Sequence, residues 1–247
     1  MMQAPTYQIT LRRRNLRILG VVLALLILWN GVCDLIYGYS PDLSGMGYFS
    51  PAVWDVIRTA GNRPHWMIML GQTAGWLYPF YAFAFYHWWV GMRRAGLWLS
   101  VVPCGLLAYA VLMIGGTQHT GWAFLSVLAQ AKTVVGSTDQ AFYDTANRFV
   151  VEHFITGDLT AMLALNIGLI WHFVAIVSGR TMYPRWFVVF SPLAIFIITM
   201  LVGILLPAPF AGFVLAPFGT WIMLFPTVAS TIWLWNRACA NTQLAMQ

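Results

Sequence analysis

Long apolar runs recur along the whole chain, and short segments carrying charges, prolines and glycines separate them. An apolar run of about 20 residues is long enough to cross the hydrocarbon core of a bilayer as a helix. The pattern therefore predicts an all-α fold, a polytopic transmembrane helical bundle of about six spans. The predicted spans lie near residues 16–37, 64–92, 96–114, 154–177, 186–206 and 213–235.

Two further segments are too short to be spans. Residues 51–60 follow a stretch rich in glycine and serine and have the pattern of a short amphipathic helix on the membrane surface. Residues 121–135 are apolar, but about 15 residues cannot easily cross a bilayer as a helix. The preceding Gly115 and Gly116 indicate a break. We therefore expect residues 121–135 to form a re-entrant or interfacial helix on the outer side, within a single integral-membrane domain covering residues 1–247.

The composition supports a membrane protein. Hydrophobic residues make up 60% of the chain and charged residues only 8%, whereas a typical soluble domain has about 25% charged residues. So few charges cannot cover a surface that faces water. The net charge of +6 does not indicate nucleic-acid binding, because the basic residues cluster at the ends of the spans. No nucleic-acid partner is expected.

The distribution of basic residues predicts the orientation in the membrane. Cytoplasmic loops of membrane proteins carry an excess of Lys and Arg. With both termini in the cytoplasm, nine of the 13 basic residues fall inside, which supports this orientation in a bacterial inner membrane. The nine are Arg12, Arg13, Arg14, Arg17, Arg93, Arg94, Arg180, Arg185 and Arg237. All seven acidic residues then lie on the outer side.

Five ionisable residues on this outer side are candidates for catalysis. Asp34 lies inside the first span and Asp158 near the start of the fourth, and His65, His119 and His153 are predicted at the same side. An ionisable residue in a span is a functional candidate by default. Carboxylates and imidazoles together supply the base and the acid that proton transfer needs. The alternative is that these side chains only brace neighbouring helices.

Five other residues are candidates for substrate binding. Asn30 lies one turn before Asp34, and Gln72 lies two turns after His65 on the same helix face. The side chains of Trp66, Trp76 and Trp122 could line a pocket for a flat apolar or cationic ligand. Tryptophans near the ends of spans more often anchor a protein at the membrane interface.

Motifs for a metal or a cofactor are absent from the sequence. The histidines lie on separate segments without an HExxH pattern, and the three cysteines are scattered. We therefore expect no metal and no cofactor. Gly71 and Gly75 form a GxxxG motif, which is typical of closely packed membrane helices.

Several short motifs carry a family resemblance. They are Gly31-Val32-Cys33-Asp34-Leu35 followed by Tyr39 and Pro41, Pro64-His65-Trp66, Leu70-Gly71-Gln72 with Gly75, and His119. On these motifs the chain resembles a family of bacterial multi-span membrane proteins, the DUF6796 type, mainly over its first half. Similar sequences more often have histidine at the position of Gln72. The resemblance implies no established activity, and it supports Asp34, Pro64, Trp66 and Gly71 as family features.

These patterns favour an integral-membrane enzyme that uses carboxylate and histidine acid–base chemistry on a lipid-like apolar substrate. An isomerase or cyclase acting on an isoprenoid or sterol fits, because proton transfer in an aromatic pocket needs no cofactor. The expected partners are membrane lipid and an apolar small-molecule substrate, with a homo-oligomer or a membrane complex as possible assemblies. The alternatives are a transporter or binding protein for a small molecule or ion, and a structural subunit of a membrane complex.

Overall fold

The computed structural model describes residues 4–41, 44–45, 63–135 and 140–235. Within these ranges the regular elements are all helical, which confirms the all-α expectation for this part of the chain. The four long helices are α1 (Ala4–Gly38), α2 (His65–Met92), α3 (Leu97–Val135) and α4 (Gln140–Val177). The shorter helices are α5 (Pro192–Leu205), α6 (Phe210–Leu215) and α7 (Phe218–Leu234), and 3₁₀ turns cover Arg93–Ala95 and Arg185–Phe190. The predicted surface helix at 51–60 lies outside the described residues.

Three helical segments are long and apolar enough to cross a membrane. They are Arg14–Gly38, Leu97–Leu128 and Leu159–Val177. Helices α5 and α7 are apolar but shorter, with 14 and 17 residues. These lengths are compatible with an integral membrane protein, and the count of six spans stays a prediction.

The expected break after the third span is wrong, because α3 continues from Leu97 to Val135 without interruption. Residues 121–135 are therefore the last part of a long helix and not a separate element. Gly115 packs directly against the ring of Tyr78 on α2, so glycine here permits close helix packing instead of ending the helix. At 1.5 Å per residue the 39 residues of α3 are about 58 Å long, well beyond a hydrocarbon core of about 30 Å.

The boundaries of the later helices also differ from the sequence prediction. Helix α4 begins at Gln140, so the polar stretch before residue 154 is already helical. The fifth predicted span starts with a 3₁₀ turn, and α5 begins only at Pro192, where Ser191 caps it by accepting a bond from the Ala194 amide. Pro217 separates α6 from α7, whereas Pro226 lies inside α7. Pro217 thus divides the sixth predicted span into two helices, whereas Pro226 does not interrupt α7.

Helix α1 packs between α2 and α7, and this placement positions the candidate site. On the α7 side, Gly20 and Gly31 of α1 lie directly against the side chains of Thr231 and Thr220. Because these glycines lack a Cβ, the two helices approach closely at both positions. The C-terminal half of α1, which contains Asp34, therefore lies next to α7.

Candidate functional site

Asp34 is the centre of a buried polar cluster. Its side chain is buried, and its Oδ1 atom lies 3.0 Å from Nε2 of His119 on α3. Its Oδ2 atom accepts hydrogen bonds from Nδ2 of Asn30 at 2.8 Å and from Oγ1 of Thr220 on α7 at 3.0 Å. Three polar side chains from three different helices thus meet at the two carboxyl oxygens of Asp34.

The local sequence explains why these side chains meet. Asn30 lies one helical turn before Asp34 and therefore shares its face. Gly31 lets Thr220 approach α1, and a Cβ at this position would lie 2.9 Å from the Thr220 methyl carbon. On α2, a Cβ at Gly75 would lie 3.5 Å from the Cβ of His119. Small residues on α1 and α2 thus let α7 and α3 bring their polar groups to Asp34.

The amides of Asn30 and Gln72 add further polar groups near the cluster. Asn30 Nδ2 also donates to Thr220 Oγ1 at 3.0 Å. Gln72 Nε2 would lie 3.3 Å from a Cβ at Gly75, which places Gln72 near His119. The Oδ1 atom of Asn30 and the Oε1 atom of Gln72 are buried without a hydrogen-bond partner in the described part of the chain. Buried acceptors of this kind are suited to bind a donor from water or a ligand.

A cavity of about 100 Å³ extends from this cluster into the bundle. Asp34, Asn30, Thr220 and His119 line one end of it. Helix α2 supplies an aromatic wall of the cavity, formed by Tyr78, Tyr81, Phe85 and Trp88. The spacing of these four residues places them on one face of the helix. Apolar side chains complete the lining, among them Ile27, Leu107, Val111, Met162, Leu165, Ile222 and Met223.

The structure does not bring every predicted residue to this cavity. His65 is exposed, and its Nδ1 atom lies 3.4 Å from Oε1 of Gln130. Trp66 and Trp76 are 65% and 61% exposed on α2, and neither lines the cavity. Helical spacing accounts for this, because positions 66 and 76 lie on a different face from the aromatic wall.

For three other predicted site residues, the structure describes the helix but not the side chain. His153 and Asp158 belong to α4, and Trp122 belongs to α3. Their roles stay predictions. The pair that the structure does bring together is Asp34 and His119, with Asn30 beside it.

Thr220 is a site residue that sequence reasoning missed. A signal for it was present, since α7 is strongly apolar but carries four buried hydroxyl groups, on Thr220, Thr227, Ser230 and Thr231. Buried hydroxyls in a membrane helix often bind polar groups of neighbouring helices. The buried hydroxyls of α7 therefore identify the helix that faces the polar groups of the bundle.

A second polar cluster lies deeper in the bundle, away from Asp34. Nδ1 of His87 lies 3.0 Å from Oγ of Ser230, and the Tyr183 hydroxyl lies 2.7 Å from the same Oγ atom. The Trp88 indole donates to Oγ1 of Thr227 at 3.2 Å. Trp88 also lines the cavity. The second cluster therefore adjoins the cavity at the end opposite Asp34.

His172 on α4 is the least satisfied side chain of this region. Its ring packs edge-on to Trp88, with 5.5 Å between the ring centroids. It is only 3% exposed, and neither ring nitrogen has a hydrogen-bond partner among the described residues. A buried polar group without a partner costs about 1–3 kcal/mol by mutational data. A water molecule or ligand atom at His172 would remove that cost.

Replacing Thr220 with valine tests the contribution of α7 to the cluster. Thr220→Val keeps the shape but removes one donor to the Asp34 carboxylate, so we expect a loss of about 1–2 kcal/mol in the free energy of unfolding. Denaturant titration of the protein in detergent micelles measures this loss. Thr145→Val is the control, because Thr145 is exposed and donates to the Ala141 carbonyl of its own helix. Equal stability of the two variants would contradict the prediction.

Among the described residues, no group of three His, Cys, Asp or Glu side chains could hold a metal ion. Asp34 and His119 would supply only two ligands. No protein-family model, curated protein or solved structure matches the chain. The resemblance to the DUF6796 type stays a prediction, and the argument for function therefore depends on the site itself.

Proposed function

We propose that the protein is an integral-membrane enzyme that performs acid–base chemistry on a lipid-like apolar substrate, of the isomerase type. The observation that carries this proposal is the 3.0 Å contact between Asp34 and His119 at the end of an aromatic-lined cavity inside an apolar bundle. Cavities with a few convergent polar groups are the usual form of small-molecule sites.

The chemistry proposed for this pair is a shift of a double bond. The His119 imidazolium adds a proton to one end of the double bond, and the Asp34 carboxylate then removes a proton from the carbon next to the other end, so that the double bond moves by one position. The proton then passes from Asp34 to His119 across their hydrogen bond, which restores the starting state, and exchange of this proton with water brings solvent hydrogen to the next substrate. Positive charge that develops on the substrate would be stabilised by the aromatic rings of the cavity wall.

The size of the cavity favours an isomerase over a cyclase. A volume of about 100 Å³ is below the 300–1,000 Å³ that is typical of pockets enclosing a whole drug-sized ligand. The cavity would therefore accept the reacting end of a lipid and leave the rest of it among the helices. Met162, which lines the cavity and is 43% exposed, marks a side that faces the membrane. Cyclisation would need room for a folded chain.

The proposed setting is a bundle of six passes in a bacterial inner membrane with both termini in the cytoplasm. In this arrangement α1 to α4 cross in turn, followed by α5 and by α6 with α7. Asp34 and His119 then lie in the outer half of the membrane. The excess of basic residues at the other side supports this orientation.

Exchange of solvent deuterium into lipid tests the proposal without a known substrate. The purified protein is reconstituted with a bacterial lipid extract in D₂O, and the lipids are analysed by mass spectrometry. An acid–base isomerase is expected to place deuterium on carbon in one lipid class. We expect Asp34→Asn to lower the rate about 10²- to 10⁴-fold, the usual contribution of a general base.

Asp144→Asn is the matched control for this experiment. It makes the same chemical change at an exposed position of α4, so the exchange rate is expected to equal that of the unaltered protein. Two results would refute the proposed function. One is that the unaltered protein places no deuterium on lipid carbon, and the other is that Asp34→Asn exchanges at the same rate as the unaltered protein.

A further inference from the structure

Buried polar groups form a column that runs along most of α1. At one end are Asp34, His119 and Thr220. Next along the bundle is Tyr81, whose hydroxyl donates to the Leu26 carbonyl at 3.0 Å. The column then continues to the second cluster described above. The polar groups thus follow α1 from the end that contains Asp34 toward its N-terminal end.

The N-terminal end of the column lies at the start of the membrane segment of α1. His87 of the second cluster interacts with the backbone carbonyl of Leu16. From Leu16 to Asp34 there are 18 steps of 1.5 Å, or about 27 Å, close to the hydrocarbon thickness of about 30 Å. A polar column of this length reaches across nearly the whole apolar layer.

We propose that this column is a water-assisted proton path that joins the Asp34–His119 pair to the N-terminal end of α1. Its middle section is the cavity, whose 100 Å³ is the space of about three water molecules in the liquid. Water there reaches from Asp34 to Trp88, since both residues line the cavity. This path goes beyond the proposed enzyme function and does not depend on it.

His172 is the residue that points most directly to water in this path. A neutral imidazole has one N–H donor and one acceptor nitrogen, and in His172 both are buried without a partner among the described residues. Its ring lies against Trp88 at the inner end of the cavity. Water on both nitrogens would let the ring accept a proton on one side and release another from the opposite side.

The remaining groups complete the path by the same exchange. A proton on Nδ1 of His87 can pass to the Ser230 oxygen while the Ser230 hydroxyl proton moves to the Tyr183 oxygen and the Tyr183 hydroxyl proton passes to water at the end of the path. Each step forms one O–H or N–H bond and breaks another, so no charge is created except the moving proton. Chains of Asp, Glu and His residues have this role in membrane pumps and transporters. Cys104 is a further titratable group that is buried close to Tyr183.

Proton uptake into proteoliposomes tests the path. A potassium gradient with valinomycin makes the interior negative, and an enclosed pH-sensitive dye reports proton entry. We expect uptake faster than in protein-free liposomes, and a reduction of about tenfold in His172→Leu and Asp34→Asn. His65→Leu is the control, because His65 is exposed and lies outside the column. The proposal would be overturned by proton uptake no faster than in protein-free liposomes or by full uptake in His172→Leu. It would also be overturned if His65→Leu lost as much uptake as His172→Leu.

A measurement on the unaltered protein covers the case in which His172→Leu does not fold. Exchange of the imidazole C2 hydrogen for deuterium requires water at the ring, and mass spectrometry of histidine-containing peptides measures it. We expect His172 to exchange although it is buried, and a His172 ring that does not exchange while His65 does would refute the path. Proton uptake without carbon-bound deuterium in lipid would refute the proposed enzyme and leave the path standing.

Discussion

Asp34→Ala is expected to lower the free energy of unfolding by about 3–5 kcal/mol and to abolish deuterium exchange into lipid. The substitution leaves three donors, on His119, Asn30 and Thr220, without their shared acceptor. Unpaired donors in an apolar bundle carry their full desolvation cost. Denaturant titration in micelles measures the stability, and the exchange assay measures the activity.

Asp34→Asn separates the structural role of this side chain from its chemical role. The asparagine keeps the shape, and its amide nitrogen can donate to His119 if the imidazole changes tautomer. We therefore expect a stability loss of about 1–2 kcal/mol, well below that of Asp34→Ala, but the same loss of exchange. If Asp34→Asn lost stability and kept its exchange rate, Asp34 would be a structural residue only.

A double-mutant cycle measures the energy of interaction between Asp34 and His119. Asp34→Leu combined with His119→Leu removes both polar partners, so the combined loss is expected to be about 1–3 kcal/mol smaller than the sum of the single losses. Asp144→Leu combined with His119→Leu is the control pair, for which we expect additivity. Additive losses at Asp34 and His119 would contradict the contact seen here.

The second large effect is expected at Gly115, where α3 packs against α2. Gly115→Ala places a methyl group inside the volume of the Tyr78 ring. The helices must separate or the ring must move, which typically costs about 1–3 kcal/mol and sometimes more. Because Tyr78 lines the cavity, its displacement is also expected to slow deuterium exchange.

Gly116→Ala is a control from the next position of the same helix. A Cβ at Gly116 has no neighbour within 4 Å. Alanine favours a helix over glycine by about 1 kcal/mol, so Gly116→Ala should be neutral or stabilising. Thermal denaturation of both variants in the same detergent makes the comparison. A Gly115→Ala protein as stable as Gly116→Ala would show that the two helices are not closely packed at this point.

The candidate site was partly predictable from the sequence. Asp34 was recognisable because a carboxylate inside an apolar run is costly and therefore needs partners or a function. Asn30 followed from helical spacing alone. The partners on other helices were not predictable in this way, because His119 and Thr220 lie 85 and 186 positions away from Asp34 in the chain. Only the packing of α1 against α3 and α7 brings them together.

The aromatic residues show the same limit. The sequence offered 13 tryptophans, and Trp66, Trp76 and Trp122 were the ones predicted to line a pocket. The wall that the structure shows on α2 consists of Tyr78, Tyr81, Phe85 and Trp88. Trp66 and Trp76 belong to the same apolar helix as this wall, and in a membrane protein the lipid-facing side can be as apolar as the buried side. Periodicity therefore could not distinguish the two faces.

The sequence by itself determined the helical class and the presence of helices long and apolar enough to cross a membrane, because apolar runs of sufficient length follow directly from the residues. It did not determine where the helices end, as Gly115 and Gly116 show. A glycine pair weakens a helix locally, but close packing against Tyr78 outweighs that weakness. Tertiary packing decided the contact between Asp34 and His119 and the cavity beside them. It also left the ring of His172 without a partner among the described residues. Each of these features depends on contacts between helices that are distant in the chain.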